Sequence, residues 1–191
     1  SSKPQKKLSP RYLYDDVGSV LFEAITLLPE YGLTRADERV LRRCASSISL
    51  ITGPMHLVAE LGSGSGNKTP HVLRAVAPPR ERLTYRPIDV SASALLACEK
   101  QLGDIAEVHS VHADWLEGLE RVARERPGDG PLLLLFLGSS IGNLEREDIV
   151  AFLERTRRQL RSGDFFLMGA DLVKEVKEMM AAYDDPIGVT A

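Results

Sequence analysis

The stretch Glu60-Leu61-Gly62-Ser63-Gly64-Ser65-Gly66 is the first place where residue types and spacing could do chemistry. Glycines let a backbone turn tightly and approach a ligand closely. A loop of this kind also serves as a plain tight turn, so its meaning depends on what surrounds it. Asp89 follows Gly62 by 27 residues. An acidic side chain at that spacing can accept from both ribose hydroxyls of an adenosine; it can also cap a helix beginning at Ser91. Further on, Asp114 is followed by Trp115. The carboxylate suits the amino group of an adenine and the indole suits its face, although Asp114 equally suits the N-cap of the next helix.

These groups need a scaffold, and the apolar pattern supplies one. Residues 1–10 read as a tail. Val17, Val20, Leu21, Ile25 and Leu28 recur at helical spacing over Asp16–Leu28 and stop at Pro29. Thr34, with Asp37 three residues on, reads as the N-cap of a second helix reaching Ile51. Strands and helices then alternate: strand His56–Leu61, helix Thr69–Val76, strand Leu83–Val90, and a helix capped by Ser91 and reaching Leu102. Strand Val108–Ala113 and helix Trp115–Arg126 follow. Pro131–Gly138 is a leucine run suited to a strand buried on both faces. Helix Glu145–Leu160 ends before Gly163, and strand Phe165–Ala170 and helix Lys174–Tyr183 complete the series. Such alternation implies an α/β fold with a parallel sheet and right-handed crossovers. Ligands of these sheets bind at the carboxyl ends of the strands, which is where the glycine loop, Asp89 and Asp114 fall.

The ligand class narrows by comparing motifs. The loop lacks the G-x-x-x-x-G-K-[ST] pattern of a P-loop, and G-x-G-x-G is not the full dinucleotide fingerprint G-x-G-x-x-G. Together with the two acidic positions, it suits S-adenosylmethionine (SAM), which carries no pyrophosphate, better than NAD.

Composition excludes several other classes. With 43% hydrophobic and 27% charged residues, the 191-residue chain reads as one globular unit with a core. A net charge of −3 gives no bulk attraction to nucleic acid or an acidic membrane. The run Leu132–Leu137 is too short to span a bilayer. Cys44 and Cys98 form no C-x-x-C pair and suit a reducing, cytoplasmic setting. His56, His71, His109 and His112 are dispersed, so no metal site is expected.

Several further segments occur in a fixed order. These are Tyr12-Leu13-Tyr14-Asp15-Asp16-Val17-Gly18-Ser19, Leu28-Pro29-Glu30-Tyr31 with Thr34-Arg35, and Glu60 to Gly64 with Lys68-Thr69. After them come Phe136-Leu137-Gly138-Ser139-Ser140-Ile141-Gly142-Asn143, Gly169 to Lys174, and Ala182-Tyr183-Asp184-Asp185 with Gly188-Val189-Thr190. In this order the set resembles the histidine-specific SAM-dependent methyltransferase family. That family includes the ergothioneine-pathway histidine Nα-trimethyltransferases and fungal enzymes that N-methylate prenylated tryptophan. The resemblance covers Leu8 to Ala191 and implies a Rossmann-like class I methyltransferase with an N-terminal helical extension. On that basis residues 11–52 form a helical substrate-pocket segment and residues 53–191 the SAM-binding domain.

The resemblance also implies roles. Gly62, Ser63, Gly64, Lys68, Asp89, Asp114 and Trp115 fall where the family holds SAM, with S-adenosylhomocysteine (SAH) as product. Tyr14, Tyr31, Gly138, Asn143 and Tyr183 fall where it holds the amino acid: Asn143 and Tyr183 at the α-carboxylate, Tyr14 and the Gly138 backbone near the α-amine, and Tyr31 at the imidazole. The family commonly reads E-Y-Y-P-T-R where this chain has Glu30-Tyr31-Gly32-Leu33-Thr34-Arg35, which changes the surroundings of Tyr31. Family members also run on past the position of Ala191, with a segment that completes the sheet and reads the imidazole, so the chain is expected to lack its C-terminal part.

The implied reaction is an in-line displacement at an activated sulfonium, in which positioning supplies much of the acceleration. The nucleophile is a neutral amine, and the Tyr14 hydroxyl is the candidate to orient its lone pair or relay its proton. Three functions follow from these residues: an amino-acid Nα-methyltransferase acting on histidine, a methyltransferase for another amine such as a modified tryptophan, or a catalytically silent SAM-binding module. The expected partner is a small amino acid rather than a nucleic acid or membrane, and the full-length enzyme is expected to be a monomer.

Overall fold

A computed structural model describes residues 16–184 and Gly188. Two helices lead, α1 (Asp16–Thr26) and α2 (Leu33–Thr52). They are followed by β1 (Leu57–Leu61), α3 (Pro70–Val76), β2 (Thr84–Asp89), α4 (Ala92–Leu102), β3 (Glu107–Val108), β4 (Val111–His112) and α5 (Trp115–Glu125). The chain continues through β5 (Leu132–Phe136), a 3-10 turn at Ser140–Asn143, α6 (Arg146–Gln159), β6 (Phe165–Met168) and α7 (Val176–Tyr183). Among the described residues no helix is long and apolar enough to cross a membrane.

The sheet is parallel in every pairing, with order β3-β2-β1-β5-β6 and β4 also paired to β2. Strand β1 sits between β2, with Leu57 opposite Thr84, and β5, with Leu57 opposite Leu132. The chain first builds outward from β1 on one side and then returns to the other, so the order reverses between β1 and β5. That crevice is where such sheets bind ligands. Strands β1 and β5 are buried at every residue, which explains the unbroken leucine run. Alternate side chains feed two cores. On one face Val58, Tyr85, Leu133 and Leu135 pack with Leu41, Val72, Leu73 and Cys98; on the other Leu61, Ile88, Leu134 and Phe136 pack with Leu119, Val122 and Phe152.

Two local expectations are corrected. The strand expected over Val108–Ala113 is broken into β3 and β4. Tyr85 and Asp89 turn their carbonyls toward this strand, accepting from the N–H groups of His109 (2.9 Å) and Ala113 (3.1 Å). Midway between them, on the same side of β2, stands Pro87, which has no N–H to donate. The ladder therefore lapses at its centre.

Thr34 is not the N-cap of α2. The helix begins at Leu33 after Gly32, with no side-chain cap. The entry turn is fixed instead by Arg35, whose guanidinium donates to the carbonyls of Leu28 (2.8 Å) and Pro29 (2.5 Å). Ser91, by contrast, does cap α4, accepting from the N–H of Ala94 at 3.2 Å.

Candidate active site

The glycine loop leaves β1 through Gly62, Gly64 and Gly66, whose φ angles are 66°, 54° and 77°. Side-chain-bearing residues rarely adopt this region. Close approach adds to the requirement. A Cβ on Gly62 would lie 3.0 Å from the Trp115 indole nitrogen, and one on Gly66 would lie 2.9 Å from both Cys98 Sγ and Leu102 Cδ1. At Gly64 the space beyond the backbone is open. The loop is thus packed at both ends and free in the middle, the shape of a cradle.

Asp89 organises that cradle. One carboxylate oxygen accepts the N–H of Gly64 at 2.8 Å and the other the N–H of Ser91 at 2.9 Å. The N–H groups of Gly62 and Ser63 bond the carbonyl of Ile88. Asp89 therefore shapes the loop and also joins it to the cap of α4. A carboxylate oxygen can accept more than one bond, so these contacts leave lone pairs for hydroxyl donors.

Asp114 and Trp115 stand just beyond β4. Asp114 is the N-cap of α5, accepting from the N–H groups of Leu116 (3.1 Å) and Glu117 (3.0 Å) through Oδ1. Its side chain is exposed. Trp115 is half-buried and rests edge-on against Phe136, at 4.8 Å between ring centroids, and Phe152, at 5.8 Å. Its ring is held rigidly from below while its nitrogen edge borders the glycine loop. The capping and ligand readings of Asp114 are compatible, because the cap engages a single oxygen.

Below the loop, Glu60 is buried, and its Oε2 accepts from Tyr85 (2.6 Å) and Thr69 (2.7 Å). Burial pushes its carboxyl up to about 7, against the lowering effect of the Tyr85 and Thr69 bonds and of the Lys68 charge. Burial likewise pushes the Cys98 thiol up to about 12, which makes it inert rather than nucleophilic.

Two acidic residues in the helical extension reach this region from far away in sequence. Asp37 on α2 meets Lys68 Nζ at 2.7 Å, and the same oxygen accepts the N–H of Gly138 at 3.1 Å. Glu23 on α1 accepts from Ser65 Oγ at 2.5 Å and from Asn67 Nδ2 at 3.2 Å. Neither stood out in the sequence as a site residue. A lone acidic residue in an amphipathic helix carries no signal of what it faces across the fold.

The residues expected to hold the amino acid range from buried to exposed. Tyr31 is buried, edge-on to Phe22 (6.2 Å) and to Tyr183 (6.0 Å), which is itself exposed. Gly138 follows β5 with φ 73°, and Ser139 follows with φ 59°. Ser139 Oγ accepts the N–H of Asp171, joining the loops after β5 and β6. Asn143 is exposed at the end of the 3-10 turn. The structure thus brings Tyr31 to Tyr183 and Gly138 to Lys68. Tyr14 lies outside the described residues.

A parallel sheet in this order, with a glycine loop after β1 and acidic side chains at the end of β2 and after β4, defines the Rossmann-like fold of SAM-dependent methyltransferases. The plantazolicin methyltransferase BpumL, solved in complex with SAH, shares it at a TM-score of 0.54 and 15% identity, covering 92% of this chain and 65% of that one. The model of the family described as histidine-specific, SAM-dependent methyltransferase matches residues 2–191, and the chain belongs to that family. It is 39% identical over 193 aligned positions to the histidine N-alpha-methyltransferase of Mycobacterium tuberculosis, covering 99% of this chain and 58% of that protein. It is also 39% identical to the histidine N-alpha-methyltransferase of Mycolicibacterium smegmatis, covering 97% of this chain and 57% of that protein. The chain therefore spans less than three fifths of the length of these relatives.

Proposed function

We propose that the whole protein transfers methyl groups from SAM to the α-amino group of L-histidine. The observation that carries the reading is the 39% identity to a histidine N-alpha-methyltransferase over 99% of this chain. The geometry supports it: Asp89 and Trp115 border the glycine cradle, Asp37 joins Lys68 to Gly138, and Tyr31 meets Tyr183.

In this reading Gly62, Ser63, Gly64 and Lys68 hold the amino-acid part and ribose of SAM, Asp89 takes ribose hydroxyls, and Asp114 with Trp115 receives the adenine. When bound, SAM supplies an electrophilic methyl group on a sulfonium. Tyr31 and Tyr183 offer ring edges and hydroxyls to the amino acid, and Asn143 an amide to its carboxylate. Because the N–H of Gly138 is held by Asp37, the carbonyl is the polar group that Gly138 can offer an amine. An amine that donates its protons to acceptors keeps its lone pair free for the methyl group. Tyr14 is the proposed relay for the proton released.

The two free cysteines, Cys44 and Cys98, suit a reducing compartment, and the reading places a monomeric enzyme in the cytoplasm. The test is methylation by the full-length protein across a panel of amino acids, followed by mass spectrometry. Successive methyl additions to histidine are expected. Turnover of a modified tryptophan with histidine untouched would replace histidine as the substrate, and SAH binding without turnover of any amine would leave a silent binding module.

A further inference from the structure

Asp37 occupies an unusual junction. It belongs to α2, outside the sheet, yet a single carboxylate oxygen touches both loops that flank the crevice between β1 and β5. It lies 2.7 Å from the ammonium of Lys68, in the loop after β1, and 3.1 Å from the backbone nitrogen of Gly138, after β5. The ion pair is largely shielded, with 12% of the Asp37 side chain and 21% of the Lys68 side chain accessible. The other oxygen faces the loop after β6, where a Cβ on Gly169 would come within 3.4 Å of Asp37 Oδ1 and 3.5 Å of the Gly138 nitrogen. A Cβ on Gly138 would lie 3.1 Å from Lys68 Nζ. Three strand-end loops therefore converge on one acidic side chain.

Resting on the functional reading above, we infer that Asp37 is a positioning residue that couples the cofactor half-site to the amino-acid half-site. Its charge fixes the Lys68 ammonium at the crevice, toward the carboxylate-bearing end of the cofactor. The same oxygen fixes the Gly138 peptide, which sets the group offered to the amine. A ligand that orders one of these contacts orders the other, so each ligand tightens its neighbour, and linkage makes that effect reciprocal.

The test is a double-mutant cycle in the full-length protein, read by calorimetric titration with SAH in the presence and absence of histidine. Asp37→Asn keeps the shape and removes the charge, and Lys68→Met removes the partner. Each is expected to weaken SAH binding on the order of tenfold, with the double variant no weaker than the worse single. Saturating histidine is expected to tighten SAH in the wild type, and this enhancement is expected to vanish in Asp37→Asn. KM for SAM and for the amino acid should rise while kcat falls less. Without any ligand, the Gly138 amide proton should move upfield in Asp37→Asn, as its carboxylate acceptor is lost. Additive losses in the cycle, or an intact enhancement with an unmoved Gly138 amide, would overturn the inference. A wild type that binds SAH but methylates no amino acid would sink the functional reading, while the cycle and the amide shift would still decide the role of Asp37. Should Asp37→Asn fail to fold, Lys68→Met probes the same bridge from its other end: loss of the histidine enhancement upholds the inference and its persistence overturns it.

Discussion

Trp115 stands directly against Gly62, with its indole nitrogen 3.0 Å from where a Cβ on that glycine would be. Gly62 has a φ of 66°, and its N–H is committed to the carbonyl of Ile88 at 2.8 Å. Gly62→Ala must therefore bear the left-handed penalty of about 1–2 kcal/mol and also push aside a ring that Phe136 and Phe152 hold in place. The expected result is a loss of stability of about 2 kcal/mol in urea unfolding, with SAH affinity falling more steeply than stability. Wild-type affinity in Gly62→Ala would show that the ring does not border the cofactor.

Glu60 makes a pH-dependent prediction. Its ordinary carboxyl value of 4.5 is pushed up to about 7 by burial. Between these values the folded protein holds a proton that the unfolded chain has released. Stability from this residue therefore falls as pH rises from about 4.5 to about 7, then levels off. Glu60→Gln keeps an oxygen to accept from Tyr85 and Thr69 but removes the titration. The variant should gain stability over the wild type at pH 8 and lose that advantage at pH 4.5. Parallel curves of melting temperature against pH for the two proteins would refute it.

At the opposite end of the sheet, Asp164 behaves in the reverse sense. Burial alone would raise its carboxyl, but the N–H groups of Leu132 (2.8 Å) and Arg161 (2.7 Å) and the Arg126 guanidinium (2.7 Å) outweigh that and hold it below its ordinary value of 3.8. Its contribution is present above that value and lost as pH falls through the lowered one. Both side chains of the Arg126–Asp164 pair are only 1% accessible. Asp164→Ala strands a buried guanidinium and frees the N–H that starts β5, at an expected cost of about 3–5 kcal/mol. A cost below about 1 kcal/mol in urea unfolding would show that solvent reaches the pair.

The sequence made the glycine loop and the acidic strand ends legible because their signals lie in residue type. Glycines at left-handed positions, Asp89 beside the Ser91 cap and the Asp114 cap stand out by residue type, although Asp89 also reaches Gly64, 25 residues away. The lapse between β3 and β4 was legible in principle, since Pro87 is visible in β2; what the strand pattern of Val108–Ala113 concealed was which side of β2 that proline faces. Asp37 and Glu23 were hidden for another reason. Their partners lie 31 and 101 residues away for Asp37 and 42 and 44 for Glu23, so only the packing of α1 and α2 on the sheet gives them meaning. Thr34 and Asp37, read together as a capping pair, drew attention from the actual partner of Asp37.

Glu23 supplies the last prediction. Its two oxygens hold Ser65 and Asn67 of the glycine loop, and Asn67 also bonds Ser65 at 2.9 Å. Its neighbour Phe22 meets Tyr31 edge-on, and Tyr31 meets Tyr183. Helix α1 is short and exposes Val17, Val20 and Leu21. None of its residues 17–26 is fully buried, and the Glu23 bonds tie it to the glycine loop. Glu23→Ala is expected to speed amide exchange across α1 by roughly tenfold, a change of about 1.4 kcal/mol in local opening, while global unfolding shifts by less than about 1 kcal/mol. Because α1 carries Phe22 toward Tyr31, KM for the amino acid should rise along with KM for SAM. Exchange in α1 that is unchanged in Glu23→Ala would mean that the helix is held by its other contacts, and that the glycine loop reaches the aromatic cluster by another route.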